Sequence, residues 1–185
     1  PHQDIVSERL RALHRLSRRR GGILILPVAT LMQRIAPPEF LRSTVTRLAV
    51  GEALDLEAMR RGLEQAGYRC VSEVLEHGEF TVRGSILDLF PMGATAPYRI
   101  DLFDTEIDTI RRFDPETQRS AERLESIELL PAHEFPTDEA AISRFRHQFR
   151  ARFEGDPMAS AIYQSVSDGH IPNGIEAYLP LFFEQ

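Results

Sequence analysis

The chain has 185 residues, 42% of them hydrophobic and 27% charged, with 22 basic residues against 28 acidic for a formal charge of −6. Length and composition suit one or two globular domains and exclude a disordered or collagen-like chain. No apolar run approaches the ~20 residues a membrane helix needs, and the acidic balance argues against a general phosphate-neutralising surface.

Every basic residue is an arginine, so any basic contact is a planar, fork-shaped donor. The one cysteine, Cys70, can form neither an internal disulfide nor a metal cage, and a reducing cytoplasm is the expected setting. No secretory pattern opens the chain. It begins at Pro1 and reads as a piece of something longer.

Residues 1–44 predict a helix, a strand and a short helix. Asp4 can cap a segment that places Val6, Leu10, Leu13 and Leu16 on one face. Arg18, Arg19 and Arg20 suit the carbonyl-rich end of its dipole. Gly21-Gly22 turns into the apolar run Ile23 to Val28, which predicts a strand buried on both faces. Pro37-Pro38 is expected to break the helix that Leu31 to Ile35 begins.

Residues 45–131 change character. A strand near 45–50 precedes a helix from about Asp55 to Ala66. Asp55 is its N-cap, Gly67 its stop, and Leu56, Met59, Leu63 and Ala66 its inward stripe. After Tyr68 the apolar period becomes that of strands, near 68–74, 79–83, 85–90, 98–103, 106–113 and 123–129. Sequential strands with short turns imply a mainly antiparallel sheet with the Asp55 helix on one face. Residues 132–185 turn helical again. Thr137 is the expected cap of a helix lined by Ile142, Phe145, Phe149 and Phe153, and another helix runs from Asp156-Pro157 to about Val166. The fold class is thus α/β (α+β), with an antiparallel-sheet domain at 45–131 inserted into an incomplete α/β domain made of 1–44 and 132–185.

Chemistry is sparse. There is no G-x-x-x-x-G-K-[ST] and no Lys to complete one, and Gly21-Gly22 precedes a strand where a phosphate loop would follow one. Six histidines are scattered without zinc spacing. Asp101, Asp104, Glu106 and Asp108 cluster at a hairpin tip but lack the rhythm of a calcium loop. No catalytic residue, cofactor site or metal site is expected. The alternation in Tyr98 to Phe103 is more informative, because it puts Tyr98, Ile100 and Leu102 inward and Arg99, Asp101 and Phe103 outward. In the same way Phe80 and Val82 point inward while Glu79, Thr81 and Arg83 point outward. Arg83, Arg99 and Phe103 then share one outer face. Arginines around an exposed aromatic have the composition of a binding hot spot. The same pattern also fits local ion pairs with Phe103 packed under another element.

The stretch Glu76 to Pro91, with Tyr98 to Asp108 and Arg112-Phe113-Asp114-Pro115, resembles the second domain of the nucleotide-excision-repair protein UvrB. The flanks Pro1-His2-Gln3-Asp4, Leu31-Met32-Gln33-Arg34, Leu130 to Pro136 and Gly174-Ile175-Glu176 resemble the bacterial transcription-repair coupling factors, the Mfd family. The resemblance implies that 45–131 is a UvrB-like second domain binding UvrA. It also implies that 1–44 and 132–185 are parts of a degenerate, helicase-like UvrB domain 1 with no working nucleotide site. By this resemblance Arg83, Arg99 and Phe103 are the UvrA-binding residues. Charge reversal of Arg99 is expected to abolish binding without unfolding. ATP and Mg2+, RNA polymerase and DNA belong to other domains of such proteins, and a C-terminal domain masks the UvrA face at rest. A DNA-backbone role for Arg18 to Arg20 or the arginine-rich helix 144–152 is the alternative. An isolated fragment of this kind is also prone to dimerise through exposed apolar edges.

Overall fold

The structure, a computed structural model, describes residues 3–184. Two compact units form. The first takes in helix α1 (Gln3–Arg18) and Leu41–His133; the second takes in Arg19–Phe40 and the chain from Glu134 onward.

In the first unit, α1 carries Asp4 in its first turn and Arg15 and Arg18 in its last, as the helix dipole favours. Leu10 is fully buried and Val6 and Leu13 are half-buried, but Leu16 faces solvent, so the inward stripe is shorter than expected. The helix is stapled along its length. Gly93 N–H donates to Ser7 Oγ at 2.8 Å, the His77 ring bonds Asp4 at 2.9 Å, and Arg18 Nη1 donates to Glu128 at 2.9 Å. Arg18 holds the Glu128 carboxyl below its usual range.

Strand β1 (Thr46–Ala49) leads to helix α4 (Leu56–Gln65); α2 and α3 lie before it, at Val28–Leu31 and Pro38–Ser43. Asp55 caps α4 by accepting from the Glu57 and Ala58 amides. Leu63 is its buried anchor, with Leu56, Met59 and Ala66 half-buried beside it. Gly67 ends the helix at φ +90°, where a Cβ would run into the His133 ring.

Six strands follow in sequential order: β2 (Arg69–Cys70), β3 (Glu79–Arg83), β4 (Ile86–Phe90), β5 (Tyr98–Phe103), β6 (Glu106–Phe113) and β7 (Ser120–Leu124). All pairs are antiparallel except β2–β3. Two strand expectations change. The 68–74 strand shortens to β2, because after Val71 the chain leaves the ladder and drops the buried side chain of Val74 onto Phe90 and Phe113. The 123–129 strand is two strands. β7 ends the large sheet, and β8 (Ser126–Leu129) pairs antiparallel with β1 in a separate two-stranded sheet.

The second unit departs furthest from expectation. Ile23 to Val28 is not a strand: Ile23 is 87% and Ile25 91% exposed, and no strand among the described residues pairs with it. An interior strand needs hydrogen-bonding neighbours and covered faces, and these residues meet neither. Pro38 starts α3 instead of ending a helix, since a first-turn proline forfeits only an amide that would lie unbonded anyway. Asp138, not Thr137, caps helix α5 (Glu139–Arg152), accepting from Ala141 N–H. The expected 156–166 helix is a 3-10 turn at Pro157–Ala159 and a separate helix α6 (Ala161–Ser167) with its own cap, Ser160. Phe145, Phe149, Tyr163, Leu179 and Phe182 form this unit's core; Phe153, expected in it, is 45% exposed. No helix among the described residues is long and apolar enough to cross a membrane.

Candidate functional site

The large sheet has two unlike faces. One is plain core: Phe80, Leu87, Leu89, Ile100 and Ile110 are at most 1% exposed. Strand register lays out the other. Reading across β3 to β7, one row is Thr81, Asp88, Arg99, Arg111 and Arg123. Arg83, Ile86, Asp101 and Thr109 form the next row toward the hairpin tips. Glu79, Phe90 and Phe113 lie the other way.

That far end is closed. Val74, Phe90 and Phe113 form a small apolar cluster, and the Gln118 amide ties the 115–118 turn to it through Val74 O and Pro115 O. Glu79 and Thr81, expected outward in solvent, are therefore buried. Glu79 is satisfied there by the amides of Leu75 and Glu76, both 2.9 Å away, and by Arg69 at 3.0 Å.

Asp88 sits at the border between the closed and open ends. It is 1% exposed and carries two arginines. Arg99 bonds it bidentately, Nε to Oδ1 at 2.7 Å and Nη2 to Oδ2 at 2.8 Å, and Arg83 Nη2 reaches Oδ2 at 2.9 Å. Arg99 also donates to Gln118 O and lies over the Phe113 ring, 4.9 Å from its centroid. Its hydrogen bonds to Asp88 raise its pKa further. A buried carboxylate is stable only when paired and hydrogen-bonded, so the charge inside this sheet holds both arginines in place. Their side chains are 19% (Arg99) and 55% (Arg83) exposed. Arg99 is thus presented on its outer edge while anchored on its inner one. Replacing it with Glu would set two carboxylates together, one of them buried, and breaking such a pair costs about 3–5 kcal/mol.

Phe103 has no such duty. It is 79% exposed at the end of β5, where its own hairpin turns through Asp104 at φ +57°. The β3–β4 tip lies alongside, since Leu102 N–H donates to Ser85 O at 2.9 Å. The segment 51–54 buttresses the β5–β6 tip through Leu54 N–H to Thr105 O and Gly51 N–H to Ile107 O. Of the three expected residues, Arg83 and Arg99 share Asp88, and Phe103 stands exposed at the tip of the same face. Asp88 itself was not anticipated. Its signal was an acid inside the otherwise apolar run Ile86 to Phe90, facing arginines on both neighbouring strands.

Several other charged side chains have partners within the structure. Asp101 accepts from the Thr109 hydroxyl at 3.1 Å, and no group of three or more His, Cys, Asp or Glu able to hold a metal forms among the described residues. In the arginine-rich helix, Arg144 and Arg146 donate to the carbonyls of Phe182 and Ser167. Arg18 is held by Glu128.

Residues 46–135 match the family model described as the UvrB interaction domain. Over its whole length the chain is 52% identical to the transcription-repair-coupling factors of Escherichia coli K12 and Haemophilus influenzae Rd, spanning 16% of each. Over 82% of its length it is 37% identical to that of Staphylococcus aureus MRSA252, spanning 13% of it. The chain therefore corresponds to about a sixth of those relatives. The Asp88-anchored face lies inside the matched region: residues 46–135 match the UvrB interaction domain, and the whole chain is similar to one part of the transcription-repair-coupling factors.

Proposed function

We propose that this chain is a non-catalytic recruitment module that binds UvrA through Arg83, Arg99 and Phe103, bringing excision repair to RNA polymerase stalled at a lesion. The supporting observation is an exposed phenylalanine on the same sheet face as two arginines held by a buried carboxylate, within a region that matches the UvrB interaction domain. Phe103 supplies the apolar anchor. Arg83 and the outer edge of Arg99 offer charge-assisted bonds to carboxylates, and Asp88 removes the conformational freedom that binding would otherwise have to freeze.

Residues 1–44 and 132–185 are then parts of a UvrB-like domain 1 without a nucleotide site. ATP and Mg2+, DNA and polymerase are handled by other parts of the full-length protein, and a C-terminal domain covers the Phe103 face at rest. The setting is the bacterial cytoplasm, and dimerisation of this piece would be a product of truncation. A DNA-backbone role is less favoured, because Arg144, Arg146 and Arg18 are already committed to internal partners.

Phe103→Ala is the cleanest test, because its side chain is not part of the core. Calorimetric titration with UvrA should show binding by the native chain and at least a tenfold loss in the variant, with an unchanged melting temperature. Equal binding by both would move the interface elsewhere.

A further inference from the structure

Beyond Arg99 the row continues with two arginines that the reading above does not use. Arg99 pairs directly with Arg111, and Arg111 with Arg123, across β5, β6 and β7. Directly opposed strand residues share a face and sit about 5 Å apart, so three arginines spring from neighbouring positions across about 10 Å of sheet. Like charges directly opposite one another destabilise a sheet. Asp88 answers this at the Arg99 end only. Arg111 has a buried Nε without a hydrogen-bond partner, and among the described residues neither Arg111 nor Arg123 forms an ion pair. The adjacent Arg112, whose Nε also lacks a partner, differs in having an acid beside it. It points to the opposite face, where Glu122 meets it at 3.0 Å. Along that row three arginines meet one acid, Asp88; elsewhere on the face Glu79 is paired by Arg69, Asp101 is engaged by Thr109, and Glu106 stands opposite Phe103.

We propose that Arg111 and Arg123 extend the docking surface across the sheet, and that its occupant is an acidic protein segment lying across the strands, with Phe103 to one side of it at the tip of β5. This rests on the protein-recruitment reading of the same face. The warrant is charge complementarity: three arginines against one acid along a single row, in a chain of net charge −6, with Arg111 and Arg123 on the side away from Asp88. The acidic whole chain repels a polyanion at long range, and an exposed phenylalanine on the same face has no role against a phosphate backbone. Planar forks at strand spacing instead match carboxylates carried on another polypeptide.

The test is Arg111→Gln/Arg123→Gln, made in this chain and titrated with UvrA beside Phe103→Ala. The expected result is at least tenfold weaker binding, a shallower salt dependence than the native chain, and a melting temperature unchanged or raised as like-charge repulsion is relieved. A lowered melting temperature with native affinity would make the pair structural and overturn the proposal. If Phe103→Ala loses binding while the double variant keeps it, the extension fails and the recruitment reading stands. If the native chain does not bind UvrA, both fail. Tight, salt-sensitive binding of a duplex oligonucleotide that the double variant loses would assign the row to nucleic acid and overturn the acidic-protein occupant.

Discussion

Two short apolar runs, Ile23 to Val28 and Ile86 to Phe90, look alike in the sequence and end in opposite states. The second becomes β4, central in a six-stranded sheet, with Leu87 and Leu89 completely buried. The first is irregular, with Ile23 and Ile25 almost fully exposed. Both runs offer aliphatic side chains for burial, and the first contains no charge, so the difference lies in the company each finds. β4 has hairpin partners supplied a few residues away on both sides, Glu79–Arg83 and Tyr98–Phe103. Residues 23–28 have no pairing strand within the described residues. A hydrophobic run is an offer of burial, and local hairpins are what allow this chain to accept it.

The comparison breaks first, and most visibly, at Leu87. Truncating a fully buried leucine in a central strand removes its transfer energy and leaves a cavity, so Leu87→Ala should cost about 2–5 kcal/mol. Urea unfolding followed by circular dichroism measures this directly. A loss below about 1 kcal/mol would mean that β4 is no better packed than the exposed run.

The next largest effect tests how well burial is enforced where α4 ends. His133 is pressed against the space that Gly67 leaves open, and burial pushes its pKa down to about 4. Its unfolded pKa is about 6.5, so the native state favours the neutral ring. The contribution is fully present above pH 6.5 and is lost as pH falls through 4, with a ceiling of about 3 kcal/mol. The measurement is the stability difference between native and His133→Gln protein at pH 7.5 and at pH 4.5, a comparison in which contributions common to both proteins cancel. The native protein should lose more on acidification than the variant. Parallel losses would remove His133 from the account.

What could be read from the sequence follows the same division. Elements that close on themselves were legible: α4 with its Asp55 cap, the β3–β4 and β5–β6 hairpins, and the inward set Phe80, Ile100 and Leu102. Elements decided by distant partners were not. Glu79 and Thr81 alternate as surface residues and are buried because the 71–78 segment folds over them. The split between β7 and β8 depends on β1, dozens of residues earlier. At the site, alternation placed Arg83, Arg99 and Phe103 on one face. The row Asp88, Arg99, Arg111 and Arg123 needed the register of four strands, which no period within a single strand contains.

A local signal should also carry a local energy. Asp55 accepts two amides at the start of α4, at 2.9 and 3.0 Å, from an exposed position. Asp55→Ala should therefore cost about 1 kcal/mol, the ordinary worth of an N-cap, irrespective of the sheet. Thermal unfolding is sufficient to see it. A loss several times larger would show that α4 is a keystone of the unit and not an independently capped helix.

The smallest expected effect is the most discriminating. Ile25 is 91% exposed, so Ile25→Ser removes almost no buried area and should change the stability of this chain by less than about 0.5 kcal/mol. Leu87→Ala and Ile25→Ser both delete aliphatic carbon from apolar runs of similar length. If hydropathy alone governed stability, the two would cost comparable amounts. If acceptance by neighbouring strands governs it, they differ severalfold, and the ratio measures how much of the burial free energy β4 owes to its hairpin partners. The same substitution should reduce any self-association of this chain at high concentration, because an exposed aliphatic edge is what a second molecule would cover. Sedimentation of native and Ile25→Ser protein separates the cases: association weakened with folding stability unchanged fits an unpartnered run, whereas a lowered melting point in the monomer would mean that residues 23–28 are packed after all.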